Sequence, residues 1–369
     1  MFCTSFLTPD VALEFFLQTK PGLEPLLAAE AHDIGLKGTE VPGGVECVGD
    51  WRGILRANMK LRIPDRVLVR VAQFRAMHPA QLDKRARKVD WASWLPQGAD
   101  VRVDAITKKS RIYHAGAAKD RIAGAIRAAL GDVSGMEHRV FVRIIDDLCT
   151  ISLDTSGEAL HKRGHKVAVG KAPMRETLAA AFLRACGYDG TGTVVDPMCG
   201  SGTFLIEAAE IAAGLAPGRA RRFAFEDMLG LDGAVEALPD NEAVPENRFF
   251  GFDRDTGAIG NASKNAERAG VGSLCTFVQG PISDLQPPEG PPGLVIVNPP
   301  YGSRIGKRKL LFGLYGSFGK VMAERFKGWR VGMVTSDGGL AKATGLNMTP
   351  RFEVPHGGLK VTLWTTEIT

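Results

Sequence analysis

Asn298, Pro299, Pro300 and Tyr301 stand directly after the short apolar run Leu294–Val297. Their types and order suit one kind of chemistry. The Asn298 side-chain carbonyl and the Pro299 main-chain carbonyl can each accept a hydrogen from a single exocyclic NH₂ group. Two acceptors on one amine draw its lone pair out of conjugation with the ring and aim it at an electrophile. Prolines lack a backbone N–H and hold φ at about −65°, so the segment is stiff and its carbonyls keep their direction. Tyr301 offers a flat π-face for a base turned out of its stack, an interaction worth about 1–3 kcal/mol. A Pro-Pro turn with a packed tyrosine is the plain alternative for the same four residues.

A second cluster runs from Val194 through Asp196, Pro197, Met198, Cys199, Gly200, Ser201 and Gly202 to Thr203. It reads as a strand end, a glycine loop and a helix start. The glycines permit close ligand approach and positive φ, and Ser201 and Thr203 can cap the helix. Such a loop lies at the carboxyl edge of a parallel sheet, where these folds bind ligands. A dinucleotide fingerprint asks for a third glycine three residues after Gly202, but position 205 is Leu. The loop also opens on an acid. A carboxylate there repels a pyrophosphate and suits a ligand with an ammonium group, such as S-adenosylmethionine. The next strand ends at Asp253, a carboxylate placed to accept both ribose hydroxyls. Asp255 is expected to cap the following helix. After the third strand, Ile282 can pack on an adenine ring. Cys199 could act as a nucleophile in cytosine chemistry, but it lies in the ligand loop and no Pro-Cys pair occupies the later strand. His161 and His165 have a metal-ligand spacing, yet Gly164 and the lack of nearby carboxylates speak against a zinc site, and no metal is expected.

The elements that must position these residues follow from periodicity. From Thr193 onward strands and helices alternate, the sign of an α/β, doubly wound parallel sheet. The expected strands are Thr193–Val195, Phe249–Phe252, Cys275–Val278, Leu294–Val297 and Arg330–Thr335. Arg351–Val354 and Leu359–Thr365 should close the sheet as an antiparallel hairpin around Gly357 and Gly358. Residues 214–247 look like an insertion. Upstream, Arg175–Cys186 reads as a helix and Leu160–Pro173 as a basic connector. Near the start, strand Glu14–Thr19, helix Leu23–Ile34 and a glycine-broken strand Val41–Val48 suit a ferredoxin-like unit. Between these lie expected strands Val67–Phe74, Val101–Ile106, Val140–Ile145 and Cys149–Leu153, with a helix over Ala117–Leu130.

Charge separates the N-terminal parts. Residues 1–51 hold two Lys/Arg against eight acids, whereas residues 52–111 hold fifteen Lys/Arg against five aspartates. That basic block implies a polyanionic partner. The 369 residues suit two or three domains. The six cysteines form no C-x-x-C pair, which suggests reduced thiols in a cytoplasm. No apolar run is long enough to span a membrane.

The segments 196–203 and 298–302, together with His161-Lys162-Arg163-Gly164 and Ala172-Pro173-Met174-Arg175-Glu176-Thr177-Leu178, resemble the bacterial THUMP-domain RNA guanine-N2 methyltransferases. The likeness is greatest to the enzymes that make N2-methylguanosine in large-subunit ribosomal RNA. Pro21-Gly22-Leu23-Glu24 resembles the start of that family's ferredoxin-like unit. The resemblance implies a ferredoxin-like unit over residues 1–55, a THUMP RNA-binding domain over 56–155, and a Rossmann-like class I methyltransferase domain with a seven-stranded sheet over 156–369. By this similarity Asp196, Pro197, Cys199, Gly200, Ser201, Gly202, Thr203 and Asp253 would hold S-adenosylmethionine. Pro173, Met174 and Arg175 would close over its methionine end, and Ile282 and Asp284 would border its adenine. The family often has an acid where this chain has Pro281. Asn298, Pro299, Pro300 and Tyr301 would hold the target base. Lys108, Lys109 and Arg111, with Lys119 on the following helix, would meet RNA, a ribosomal RNA or pre-ribosomal particle ahead of a tRNA. Some relatives carry a second, fused methyltransferase domain; this chain's length leaves no room for one, so a single methylation is expected. A tRNA guanine-N2 enzyme, a DNA adenine-N6 enzyme and an inactive RNA-binding factor are the competing expectations. Oligomeric state is left open.

Overall fold

The structure, a computed structural model, describes residues 12–133, 135, 137–166, 174–228, 248–301 and 308–369. The chain divides into two compact units. One holds the chain up to Thr19, Ala28–Leu160 and a segment from Arg221; the other holds Lys20–Leu27, His161–Ala220 and the C-terminal part to Thr369.

In the first unit, β1 (Leu13–Gln18), β2 (Gly38–Val41), β3 (Gly44–Gly49), β4 (Arg66–Arg75), β5 (Asp100–Lys108), β6 (Glu137–Ile145) and β7 (Leu148–Asp154) form one sheet in the order β2-β3-β1-β4-β7-β6-β5. β4 pairs antiparallel with β1 on one side and with β7 on the other. The ferredoxin-like strands and the THUMP strands therefore share a sheet through β4. The segment expected as one strand over 41–48 is a hairpin instead. Gly43, at φ 90°, turns the chain between β2 and β3. Helices α1 (Glu24–Asp33), α2 (Trp51–Lys60), α3 (Pro79–Ala86) and α4 (Ala115–Leu130) belong to the same half of the sequence. α2 buries Trp51, Ile54, Leu55 and Asn58, one face at helical spacing, and exposes Arg52 and Arg56. Asp50 starts it, accepting from the Gly53 N–H at 2.8 Å.

In the second unit, β8 (Val194–Asp196), β9 (Phe249–Asp253), β10 (Cys275–Gln279), β11 (Leu294–Val297), β12 (Arg330–Thr335), β13 (Thr349–His356) and β14 (Leu359–Glu367) run in the order β10-β9-β8-β11-β12-β14-β13. β8 to β12 pair in parallel, and β13 and β14 close the edge as the expected antiparallel hairpin. All four residues of β11 are buried, as a strand covered on both faces requires. Helices α5 (Glu176–Ala185), α6 (Thr203–Ala212), α7 (Thr256–Arg268), α8 (Arg308–Arg325) and α9 (Gly338–Ala343) alternate with the strands. The core on one side joins Val295 and Val297 to Tyr315, Phe318 and Met322 of α8. Of the expected insertion, residues 229–247 lie outside the described residues. Among the described residues no helix is long and apolar enough to cross a membrane.

The chain lays down β8, β9 and β10 in one direction, then returns to place β11 on the far side of β8. A reversal of this kind opens a crevice at the carboxyl ends of the two strands that flank it.

Candidate active site

Three neighbouring strands end side by side at that reversal. β9 ends at Asp253, β8 at Asp196, and β11 at Val297 just before Asn298. The pairings Asp196↔Gly251 and Val195↔Val295 align their tips.

The loop after β8 is pinned to its neighbours. The Met198 N–H donates to Asp196 Oδ1 at 3.1 Å and the Gly200 N–H to Asp253 Oδ2 at 3.0 Å. The Cys199 N–H donates to the Phe252 carbonyl at 2.9 Å. Asp253 Oδ1 accepts from the Asp255 N–H at 3.0 Å, so this carboxylate is held at both oxygens. Gly200 and Gly202 sit at φ 53° and 82°, where a side chain is strained. At Gly202 an added Cβ would also meet the Ala262 Cβ at 3.1 Å.

Capping of α6 departs from expectation. Gly202 occupies the N-cap position and no side chain caps the helix. The helix begins at Thr203 itself, where a hydroxyl has turned past the amides it would need to reach. The Thr203 hydroxyl instead accepts from Lys166 Nζ at 2.8 Å, with Ser201 Oγ 3.5 Å away. Asp255 does cap α7, accepting from the Gly257 and Ala258 amides at 2.7 and 3.2 Å.

Asp196 is 2% exposed. Burial pushes its carboxyl well above the ordinary range, the Asp253 charge adds to this, and the Met198 amide pulls the other way. No cation among the described residues offsets it. The site is thus complementary to a ligand that brings its own positive charge. The Cys199 thiol is also raised well above its usual value, by burial first and by the Asp196 and Asp253 charges next. Both effects favour the protonated thiol over the thiolate that a nucleophile needs.

Asn298 Oδ1 is buried and has no hydrogen-bond partner among the described residues. Leaving such an acceptor unpaired costs roughly 1–3 kcal/mol. It stands one residue beyond β11, ready for a donor. Tyr301 is half-buried against the core, and burial pushes its phenol up to about 12, so it stays neutral. Tyr315 of α8 places its hydroxyl 3.4 Å from the Pro300 carbonyl and 3.3 Å from the Thr335 hydroxyl. It braces the proline segment from the core side. Nothing in local spacing points to Tyr315 or Thr335.

Met174 is buried, and its carbonyl accepts from Lys166 Nζ at 3.0 Å. Because the same ammonium reaches Thr203, Met174 is drawn to the start of α6. Glu176 lies 3.1 Å from that ammonium. Arg175 is exposed, and Pro173 lies outside the described residues. Ile282 and Asp284 belong to a single 3-10 turn after β10, tied to the β9 tip by the Gly280 N–H donating to the Asp253 carbonyl at 3.0 Å. Ile282 packs half-buried on the core, while Asp284 is exposed and accepts from the Ser283 hydroxyl at 3.0 Å.

Beneath the loop lie charges that motif reading missed. Glu207 and Glu210 of α6 are buried; Arg163 pairs with Glu207 at 3.1 Å and Arg219 with Glu210 at 2.6 Å. The readable signal is an acid in the apolar run TFLIEAAEIA, which demands a buried cation. His165 lies 3.7 Å from Glu210, within this ionic group.

In the first unit, Lys108, Lys109, Arg111 and Lys119 are all exposed. The loop carrying the first three is stiff. Ser110 Oγ donates to the Ile144 carbonyl at 3.2 Å, and the Arg111 N–H donates to Asp147 Oδ1 at 2.8 Å.

Comparison with known proteins bears on both units. Residues 163–364 match the family described as RMKL-like, methyltransferase domain. Residues 14–68 match the RlmL ferredoxin-like domain and residues 79–154 the THUMP domain. The chain is similar to the ribosomal RNA large subunit methyltransferase K/L of Syntrophotalea carbinolica, 34% identical over 97% of this chain and 54% of that one. It therefore spans about half that relative's length. It is 30% identical to the putative RNA methyltransferase slr0064 of Synechocystis sp., over 96% of each chain. Among solved structures, SMU.472, a putative methyltransferase complexed with SAH, aligns at a TM-score of 0.88 and 27% identity, over 97% of this chain and 98% of that one.

Proposed function

The chain belongs to the RMKL-like, THUMP-containing methyltransferase family, and on that premise we propose that it methylates the exocyclic N2 amine of a guanosine in 23S ribosomal RNA, using S-adenosylmethionine. In this reading residues 1–55, 56–155 and 156–369 are the ferredoxin-like, THUMP and methyltransferase domains. One observation carries the proposal: the buried Asn298 Oδ1, without a partner among the described residues, at the sheet's reversal point, one strand from Asp196.

Asp196 takes the ammonium of S-adenosylmethionine, and Asp253 takes the ribose hydroxyls with the oxygen lone pairs its amide partners leave open. Ile282 packs against the adenine. When bound, the donor supplies an electrophilic methyl group on sulfur. Asn298 Oδ1 and the Pro299 carbonyl accept the two hydrogens of the guanine 2-amino group, with the base stacked on Tyr301. The lone pair of that amine would then attack the methyl carbon opposite the carbon–sulfur bond, which breaks as the carbon–nitrogen bond forms, its electron pair leaving on a neutral thioether. The nitrogen becomes acidic on alkylation and loses its proton to water, so no covalent enzyme intermediate forms. Orienting two reactants in this way contributes roughly 7–11 kcal/mol in favourable cases.

A pH effect follows from Asp196. Because its folded-state pKa is raised, the carboxyl favours the fold below its ordinary value, and that contribution is lost as pH rises through the raised one. A bound cation favours the ionised form. Donor affinity should therefore climb with pH across that window, with proton release on binding at its acid end. Calorimetry in buffers of different ionisation enthalpy measures this; a flat profile with no proton release contradicts the role given to Asp196.

The basic loop should grip phosphates without choosing sequence. Reversing Lys108, Lys109 and Arg111 to Glu should weaken RNA binding and flatten the slope of log K against log salt by about 2. An unchanged slope removes these residues from the interface. The reaction is tested by transfer of labelled methyl to ribosomal RNA, tRNA and DNA. Label in ribosomal RNA, recovered as N2-methylguanosine, is expected; label only in DNA adenine or only in tRNA refutes the substrate.

A further inference from the structure

The first unit carries a cavity of about 460 Å³ between β4 and α3 that the chemistry above does not use. Binding sites for small ligands fall at roughly 300–1,000 Å³, so one nucleotide fits. Two of its lining residues are aromatic, Phe74 of β4 and Trp94, both half-buried, beside the aliphatic Leu13, Val71 and Val89. Trp94 sits 6.2 Å from Trp51 at 56°, which sets the plane of its ring. The Arg85 guanidinium lies 5.9 Å from the centre of the Phe74 ring. Arg85 and Lys88 are exposed at the rim. The acid on the wall, Asp90, is engaged by the Ser93 hydroxyl at 2.5 Å.

The cavity also adjoins the basic loop. Phe74 is followed by Arg75, the last residue of β4, and the next residue, Ala76, donates its N–H to the Asp147 carbonyl at 2.9 Å. The side chain of that same Asp147 accepts from the Arg111 N–H, and the Arg111 guanidinium reaches Met77 Sδ at 3.5 Å. Hydrogen bonds through Asp147 thus tie the end of β4, just past Phe74, to the cationic loop.

We propose that this cavity receives a single unpaired base of the RNA, stacked on Trp94 and Phe74, with its flanking phosphates on Arg85 and Lys88 and the strand continuing over Lys108–Arg111. Any base has a π-face to offer such walls, and two rim cations match the phosphates on either side. A base held in a duplex cannot enter. The inference rests on RNA being the substrate.

Binding of a short single-stranded RNA and of a duplex of equal charge to the full chain tests it. Trp94→Ala should weaken the single strand about tenfold while changing duplex affinity less than about twofold. Because Trp94 also touches Trp51, Arg85→Glu at the exposed rim serves as the second variant, with the single strand again losing more than the duplex. Unchanged S-adenosylmethionine affinity and melting temperature show that each variant is folded. Single-strand affinity equal to the parent's in both variants, or equal losses for single strand and duplex, overturns the proposal. Those outcomes leave the methyl-transfer reading intact; that reading fails separately, if the parent chain methylates no RNA.

Discussion

Asn298→Ala is expected to lower kcat about 10³-fold while the affinity for S-adenosylmethionine stays within about twofold. The side chain has one task in this account, to accept from the reacting amine. Its Oδ1 is buried and has no partner among the described residues, so removing that oxygen breaks no hydrogen bond they make. That separates it from a structural residue, whose loss would lower the melting temperature. The backbone of the proline segment should hold, since the Tyr315 hydroxyl still braces the Pro300 carbonyl. Single-turnover kinetics with saturating donor, beside a donor titration, measure the two quantities separately. Near-parental kcat would remove Asn298 from the reaction.

Asp253→Ala should do the reverse. It should raise the dissociation constant for S-adenosylmethionine about 100-fold, or about 3 kcal/mol, since each hydrogen bond to a charged group contributes about 1.5–3 kcal/mol. Two effects combine. The ribose loses its acceptor, and the Gly200 amide loses the oxygen that holds the loop at 3.0 Å. Asp253→Asn keeps one acceptor and should fall between parent and alanine variant. At saturating donor both variants should recover most of the parental kcat. Calorimetric titration decides it; an affinity within about threefold of parent would leave Asp253 as a loop anchor only.

The two variants divide the site as the chain itself does. Both chemical clusters could be read from sequence because each lies within ten residues: a strand end, a rigid or glycine-rich turn, and one side chain of specific type. The alternation of β8 to β12 with helices and the closing hairpin were readable for the same reason. What could not be read depends on contacts distant in sequence. Lys166 meets Thr203 across 37 residues, and Tyr315 meets Thr335 across 20. Phe16 pairs with Leu68 across 52 residues, so the sharing of one sheet by the first two portions has no local trace. Short helices were hidden in another way. α3 buries only Leu82 and Ala86 among its eight residues, too little apolar surface for a periodic pattern. The hairpin at Gly43 looked like one interrupted strand because a glycine weakens a strand and turns one with the same letter.

The most direct measurement is a crystal structure of the full chain with S-adenosylmethionine bound. The donor is expected in the loop from Asp196 to Thr203, with its ammonium at Asp196, its ribose on Asp253 and its methyl carbon facing Asn298 Oδ1 across a gap that fits one amine. A donor lodged outside that loop, or bound there with its methyl turned away from Asn298, would contradict it.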